Sequence, residues 1–490
     1  MEKFDVCVIG AGPSGYAAAM RAVDYGKKVL LIEKNKLGGA GIHQGALWSK
    51  TWWELSREAY FIRQQGSSLG IERPEFSYDK VSGEVNRAVE DRLNMLTHHM
   101  NNINVTLGDY FQYLHGTARI IDTHLVEVKN EETTQEIEAD HIILATGSRP
   151  RKLPHIPIDE AHIFTSDGLG NLKDFPKSMV ILGAGVIGCE FATIFSNFGQ
   201  TKVHLIDKGD RILPFEDEDV VSIIEQNLEA KNVLIHRNAQ LVEMKVEYGE
   251  VVYTLEYTDG LKEVFKVEKA LVSVGRVPNY EDLFGEQLAI DLDKRGIKDE
   301  DTQTSIDNIY AVGDITADIS LVNVGELEGR HAIEKIYGSP EPLIYENISA
   351  IMFLAPEVAG VGMNEVQAQK EGLSYKVVSL DYSTIPRAVA MRNVQGFIKI
   401  LVTNDDEMKV LGMRVIGEHA SSAIQAAALL ISMDTGIKVL AELIHPHPSI
   451  IEGIQECCRM LQGKSMLKPT VLRSAMTCRL YQDGVYTDIV

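Results

Sequence analysis

Two stretches of this chain carry the same design, and no other feature narrows the fold as much. FDVCVIG (residues 4–10) is a short apolar, β-branched run. It leads into the turn GAGPSG (10–15), then a small-residue helical pattern that stops at Gly26, then a second apolar run, KKVLLIE (27–33). SMVILG (178–183), GAGVIG (183–188), a helical pattern ending at Gly199 and TKVHLID (201–207) repeat the arrangement. Nearly continuous apolar strands joined through a helix belong to parallel sheets that are buried on both faces. Within 490 residues, a repeat this far apart reads as two domains in series and not as a short-period solenoid.

The spacing of the glycines points to the ligand. Gly10, Gly12 and Gly15 form G-x-G-x-x-G between a strand and a helix. The first glycine makes the tight turn, the second lets backbone approach a pyrophosphate, and the third lets helix meet strand. The helix N-terminus adds N–H donors and partial positive charge. Glu33 ends the second strand, where an acid binds ribose hydroxyls. Gly183, Gly185 and Gly188 repeat the motif, with Asp207 in the place of Glu33. An acid there accepts hydrogen bonds from a free 2′-hydroxyl and repels a 2′-phosphate, which favours NAD over NADP. Lys208 and Arg211 close by keep NADP as the lesser alternative. Two dinucleotides in one chain imply hydride transfer between them.

Composition removes other classes. The formal charge of −22 argues against nucleic acid or an anionic membrane surface as partner. No apolar run is long enough to span a membrane. The five cysteines are too few for a disulfide scaffold and fit no zinc motif, so no metal site is expected. The N-terminus enters a strand pattern at once, without a targeting pattern, and a reducing cytoplasm is expected. The expected organisation is an α/β chain with two Rossmann-like dinucleotide-binding domains and a C-terminal α+β domain. The expected limits are 1–150 for the first binding domain, 151–275 for the second and 345–465 for the C-terminal domain, with 276–344 returned to the first binding domain by the family resemblance described next. Residues 466–490 read as a polar, irregular tail. VQGFIKILV and EMKVLGMRVIG alternate as antiparallel strands do.

A series of further motifs carries a resemblance. LGG…SK (37–50), LATGSRP (144–150), GAGVIGCE (183–190), SVGRVPN (273–279), YAVGDI (310–315), FLAPEVAGVG (353–362), QGFIK (395–399) and HPHPSIIE (445–452) follow GAGPSG in order. Over about residues 4–465 the chain resembles the flavin-dependent pyridine nucleotide–disulfide oxidoreductases, which include dihydrolipoamide dehydrogenase, glutathione reductase, mercuric reductase and the soluble transhydrogenase. The resemblance implies FAD at the first site, against Gly10, Gly12, Pro13, Ser14, Gly15, Glu33, Lys34, Gly39, Lys50, Ala118, Thr146 and Gly147, with Gly313 and Asp314 at its ribityl–phosphate part. It implies NAD(H) at the second, against Gly183, Gly185, Val186, Ile187, Gly188 and Asp207, with Gly275 and Arg276 near it. It also implies a homodimer built by the C-terminal domain. Lys50 and Glu190 are implied to pair beside the flavin, where a cation stabilises charge developing on the reduced ring. His447 is implied as a proton-transfer base oriented by Glu452, presented to the partner subunit; the same dyad also reads as an interface hydrogen bond.

One departure decides the chemistry. In the family, LGG leads into two cysteines that form a redox disulfide. Here those positions hold Gly41 and Ala46, and the following proline is Trp48. Without a thiolate there is no thiol–disulfide exchange. The expected activity is therefore FAD-dependent NADH oxidation with a small-molecule, non-disulfide acceptor such as a quinone. The alternatives are a soluble transhydrogenase, a retired flavoprotein serving as sensor or scaffold, and residual disulfide reduction through Cys478. Trp48, Trp52 and Trp53 read as an aromatic wall for a flat acceptor or, preferably, as bulk filling vacated space. Cys457 and Cys458 read as buried bystanders.

Overall fold

The computed structural model describes residues 2–489 apart from Arg73, Gln287, Lys294 and Ala317. The chain divides into two compact units. The first comprises Met1–Pro176, Glu243–Tyr253 and Lys266–Leu343; the second comprises Lys177–Val242, Thr254–Phe265 and Ile344–Val490.

The first unit is built on β1 (Glu2–Ile9), α1 (Pro13–Asp24) and β2 (Val29–Glu33). Two helices follow the second strand, α2 (Gly39–His43) and α3 (Leu47–Gln65), and then the long α4 (Tyr78–Leu107). Strands β3 (Phe111–His115), β4 (Thr117–Asp122), β5 (Leu125–Lys129) and β6 (Thr134–Leu144) complete the sheet. β2 pairs in parallel with β1 and β3, and β6 with β1 and with Ile309–Ala311; β5 joins β6 and β4 in antiparallel fashion. Successive residues of β1 serve opposite faces. Val6 and Val8 pack with Ala18, Ala22 and Leu31. Cys7 and Ile9 pack with Leu30, Ile120 and Val126. That double burial is why β1 is an unbroken apolar run, at about 1.5–3 kcal/mol for each large side chain removed from water.

In the second unit, Ser178–Leu182, Lys202–Ile206 and Leu234–His236 are parallel neighbours, and α5 (Val186–Phe198) follows the first of them. A seven-stranded antiparallel sheet occupies the C-terminal part, in the order 349–352, 358–362, 410–416, 397–403, 375–381, 476–482, 485–488. The alternating segments named above form the paired strands Phe397–Thr403 and Val410–Ile416.

The C-terminus departs from its expectation. Met476–Gln482 and Val485–Asp488 are a hairpin that extends this sheet, with Met476 paired to Leu380 and Cys478 to Val378. Met476 and Cys478 point into the core and are 2% and 3% exposed. The intervening residues are polar, and that composition reads as a tail. Asp483 and Gly484, at φ 53° and 81°, form the turn.

Candidate functional site

The first glycine turn works because of contacts that a side chain would destroy. Gly10 has φ +107°, and an added Cβ would lie 2.2 Å from the Ala145 carbonyl oxygen. At Gly15 a Cβ would lie 1.9 Å from the Gly10 carbonyl oxygen. At Gly12, the residue before α1, nothing stands within 4 Å of that position. The turn thus presents bare backbone to a cleft of about 900 Å³. Of the residues expected at the first site, Gly10, Gly12, Pro13, Ser14, Glu33, Lys34, Gly39, Ala118, Thr146, Gly147 and Asp314 line this cleft. Gly15 and Gly313 lie buried behind its wall, and Lys50 stands in the first turn of α3.

The two strand-end acids hold the two turns in the same way. Glu33 Oε2 accepts from the Ala11 N–H at 2.8 Å, and its Oε1 accepts from the Asn35 N–H at 2.8 Å. Asp207 Oδ2 accepts from the Ala184 N–H at 3.0 Å, and its Oδ1 accepts from the Gly209 N–H at 2.7 Å. In each case one oxygen ties down the residue between the first two glycines and the other ties down the residue two beyond the acid. A carboxylate has about four lone-pair sites, so each acid keeps capacity for a ribose hydroxyl.

Opposite the turn lies a network that sequence motifs alone do not specify. Ser148 Oγ donates to Asp314 Oδ2 at 2.6 Å and accepts from Arg276 Nε at 2.8 Å. Arg276 also reaches the Ser148 carbonyl at 2.8 Å and Asp167 at 3.1 Å. Arg276, expected near the second nucleotide, is therefore anchored in the first unit to residues that line its cleft; Gly275 precedes it at φ +100°. The buried Glu328 accepts from the Gly313 N–H at 2.7 Å. Ser148 lies within LATGSRP, but nothing in the motif marks it as the link between Arg276 and Asp314.

In the second unit, Gly183 has φ +101° and its N–H donates to the Ile206 carbonyl, while Gly185 precedes α5. Val186, Ile187 and Gly188 form the first turn of that helix. Glu190, one turn along and 5% exposed, accepts from the Phe353 N–H at 3.0 Å. His447 Nδ1 lies 2.8 Å from Glu452 Oε1, and Glu452 Oε2 accepts from the Ser449 N–H. Burial raises the Glu452 carboxyl, but the hydrogen bonds from His447 and Ser449 outweigh it and hold it below its ordinary value. An ionised Glu452 places the proton on Nδ1 and leaves Nε2 as an acceptor on a ring that is 68% exposed.

The loop between Gly39 and Lys50 is seated against the turn, with Gly39 beside Gly12 and Gly41 beside Pro13. His43 Nε2 lies 2.9 Å from the Leu37 carbonyl. Trp48 and Trp52 share a helix face, with ring centroids 6.0 Å apart. Trp52 packs further against Tyr78 and Phe175 and is 5% exposed; Trp53 is 3% exposed. Both are packing residues of the first unit. All five cysteines are free and buried. Cys457, Cys458 and Cys478 share the core of the C-terminal domain. Burial pushes the Cys478 thiol up to about 11 and that of Cys458 to about 12. Cys478 is thus a core residue on a strand and not part of an irregular tail.

The cleft suits a dinucleotide. Its volume lies in the usual range for cofactor sites, and it offers side-chain-free backbone at Gly12, a helix N-terminus and an acid at the strand end. Among the described residues no group of three or more metal-ligating side chains is found, and no helix is long and apolar enough to cross a membrane.

Two glycine-rich βαβ turns with acid clamps define a dinucleotide-dependent oxidoreductase. The family described as "Pyridine nucleotide-disulphide oxidoreductase" matches residues 4–329, and its dimerisation domain matches residues 348–458; the chain belongs to this family. Its members, dihydrolipoyl dehydrogenase among them, use FAD and NAD(H), and the dimerisation domain supports a homodimer. The chain is 33% identical over 463 residues to a dihydrolipoyl dehydrogenase of Bacillus subtilis, covering 94% of this chain and 96% of that protein. It is 32% identical over 461 residues to the enzyme of Geobacillus stearothermophilus, covering 94% and 96%. Among solved structures, LpdA of Mycobacterium tuberculosis superposes with a TM-score of 0.85 at 26% identity, covering 94% of this chain and 100% of that one. The HOCl-induced flavoprotein disulfide reductase RclA of Escherichia coli, as its Cu(II) complex, gives 0.83 at 26% identity with the same coverage.

Proposed function

We propose that this chain oxidises NADH with the help of FAD and delivers the electron pair to a non-disulfide acceptor, a quinone. One NADH, one proton and one quinone give NAD⁺ and one quinol. The loop between Gly39 and Lys50 carries the proposal. Gly41 and Ala46 stand where the resemblance places the redox cysteines, and at Gly41 an added Cβ would come within 2.5 Å of Pro13 Cγ. The cysteines the chain does have are buried in hydrophobic cores and on the helix after Gly185, with thiols held protonated by burial. A protonated, buried thiol does not attack a disulfide.

FAD supplies a carrier that takes up two electrons from one partner and releases them to another. The chain's own residues bind and orient. In this proposal the Gly10–Gly15 turn, Glu33 and Asp314 hold FAD, and the Gly183–Gly188 turn with Asp207 selects NADH. Lys50 supplies positive charge in the first unit, Glu190 a buried carboxylate in the second. His447, with Nε2 free and Nδ1 held by Glu452, moves a proton, and its exposure lets it face a second copy of the chain. The limits 1–150 with 276–344 and 151–275, a C-terminal domain from 345 that takes in the 476–488 hairpin, and a cytoplasmic location belong to the same proposal.

Anaerobic stopped-flow provides the test. NADH should bleach the bound flavin rapidly, and quinones should restore its colour faster than lipoamide or glutathione disulfide. Rapid turnover of lipoamide would refute the proposal. Failure of NADH to bleach the flavin would favour the retired flavoprotein.

A further inference from the structure

The first unit holds a second cavity, of about 210 Å³, that shares Gly12, Pro13 and Gly41 with the large cleft. Ala17, Ile42, Leu47 and Leu96 line it with apolar surface. Tyr16, Arg92 and Glu326 bring polar groups to the same space. The Tyr16 hydroxyl lies 2.5 Å from His99 Nδ1, with the ring centroids 5.9 Å apart. None of these four polar residues takes part in the nucleotide turns, the acid clamps or the Arg276 network.

Size and chemistry limit the occupant. An apolar cavity of about 150 Å³ holds one benzene ring, so this one admits one or two fused rings and excludes a dinucleotide. Gly41 contributes backbone alone to its lining, which leaves a flat ring room beside the cleft. Arg92 and Glu326 are exposed and of opposite sign, so they give no net preference for a charged ligand. A flat, uncharged ring with an oxygen that accepts a hydrogen bond meets every one of these constraints.

We propose that this cavity binds the quinone ring, with the Tyr16 hydroxyl donating to one carbonyl oxygen. The assignment presupposes the quinone reduction proposed above. The assignment takes the His99 tautomer with its hydrogen on Nδ1, which donates to the Tyr16 oxygen and directs the phenolic hydrogen to the ligand; with the other tautomer Tyr16 would donate to His99 instead. Burial pushes the Tyr16 hydroxyl up to about 12 against the opposing charge of Arg92, so it remains a donor throughout the neutral range. Tyr16 also distinguishes a quinone from a hydrocarbon of equal size, since only the quinone offers it an acceptor.

The test uses oxidised holoenzyme and menadione, with binding measured by calorimetry in the absence of NADH and KM measured separately. Ala17→Phe fills the cavity and should weaken binding at least about tenfold, as expected when a ligand loses its apolar enclosure. Tyr16→Phe, nearly isosteric and so safe for folding, should weaken binding about three- to tenfold, the range for one lost hydrogen bond. KM should rise in step with Kd in both variants, while the visible spectrum of the flavin stays that of the parent. Binding equal to the parent in both variants would overturn the assignment even if menadione is turned over. If the parent enzyme binds menadione in this Tyr16-dependent way but NADH does not reduce it, the cavity stands and the proposed function fails.

Discussion

Glu33→Gln isolates what the strand-end acid does for the protein from what it does for a ligand. The carboxylate receives two backbone N–H groups, from Ala11 and Asn35, each at 2.8 Å, in a site that is 8% exposed. Glutamine has the same shape but only one acceptor oxygen. Its NH₂ must face one of the two N–H groups, which loses one charge-assisted bond and leaves a buried donor unpaired. A hydrogen bond to a charged group contributes about 1.5–3 kcal/mol, and the other bond weakens as the charge goes. The expected loss is about 2–3 kcal/mol, or a fall in Tm of roughly 4–8 °C for a unit of a few hundred residues. Thermal unfolding followed by circular dichroism at saturating FAD measures it with ligand occupancy matched. Asp207→Asn should cost less, because Asp207 is only half-buried and water can serve the released N–H. If Glu33→Gln melts within a degree of the parent yet binds FAD poorly, the acid serves the ligand alone and the twin-clamp account is wrong.

Three further outcomes follow from buried groups. His204 and His236 lie 5.6 Å apart on neighbouring strands; burial, then the charge of His236, lowers the His204 pKa to about 4. The unfolded chain takes up that proton near pH 6.5 and the folded chain only near 4, so stability is full above 6.5 and falls as pH drops between them, by roughly 3 kcal/mol in all. His204→Phe should flatten that part of the denaturation profile; an unchanged profile would assign the loss to other groups. Reaction with a thiol reagent should be slow for all five cysteines in the native protein and complete on unfolding, and Cys478→Ser should leave quinone reduction unaltered. One rapidly reacting thiol would reopen disulfide chemistry. Lys399, 1% exposed, reaches Asp217, Asp219 and Glu365 at 2.7, 2.8 and 3.0 Å, so Lys399→Met leaves carboxylates facing one another and should cost about 3–5 kcal/mol in a denaturant titration.

What could be read from sequence and what could not separates along sequence distance. The turns and their acids are local: strand, glycines, helix and second strand fit within about thirty residues, and the spacing of the glycines encodes the backbone path directly. The same pattern gives the acid but not its partners, because Ala11 and Asn35 are bonded through backbone atoms that carry no side-chain signature. The C-terminal hairpin was legible in principle. Asp-Gly at 483–484, flanked by alternating Met476, Cys478 and Leu480, is a strong hairpin signal, with both turn residues at positive φ. Its polar outer face and position at the sheet edge hide the alternation in composition. Contacts across long stretches of chain leave no such trace. Tyr16 meets His99 across 83 residues, Ser148 meets Asp314 across 166, and Trp52 meets Phe175 with strands β3 to β6 intervening in the chain. That residues 37–50 hold no cysteine is visible in the sequence, but the cavity beside Gly41 exists only because α1, α2 and α4 converge there. The residue types of one loop can thus be read directly, whereas a cavity has to be sought where distant elements meet.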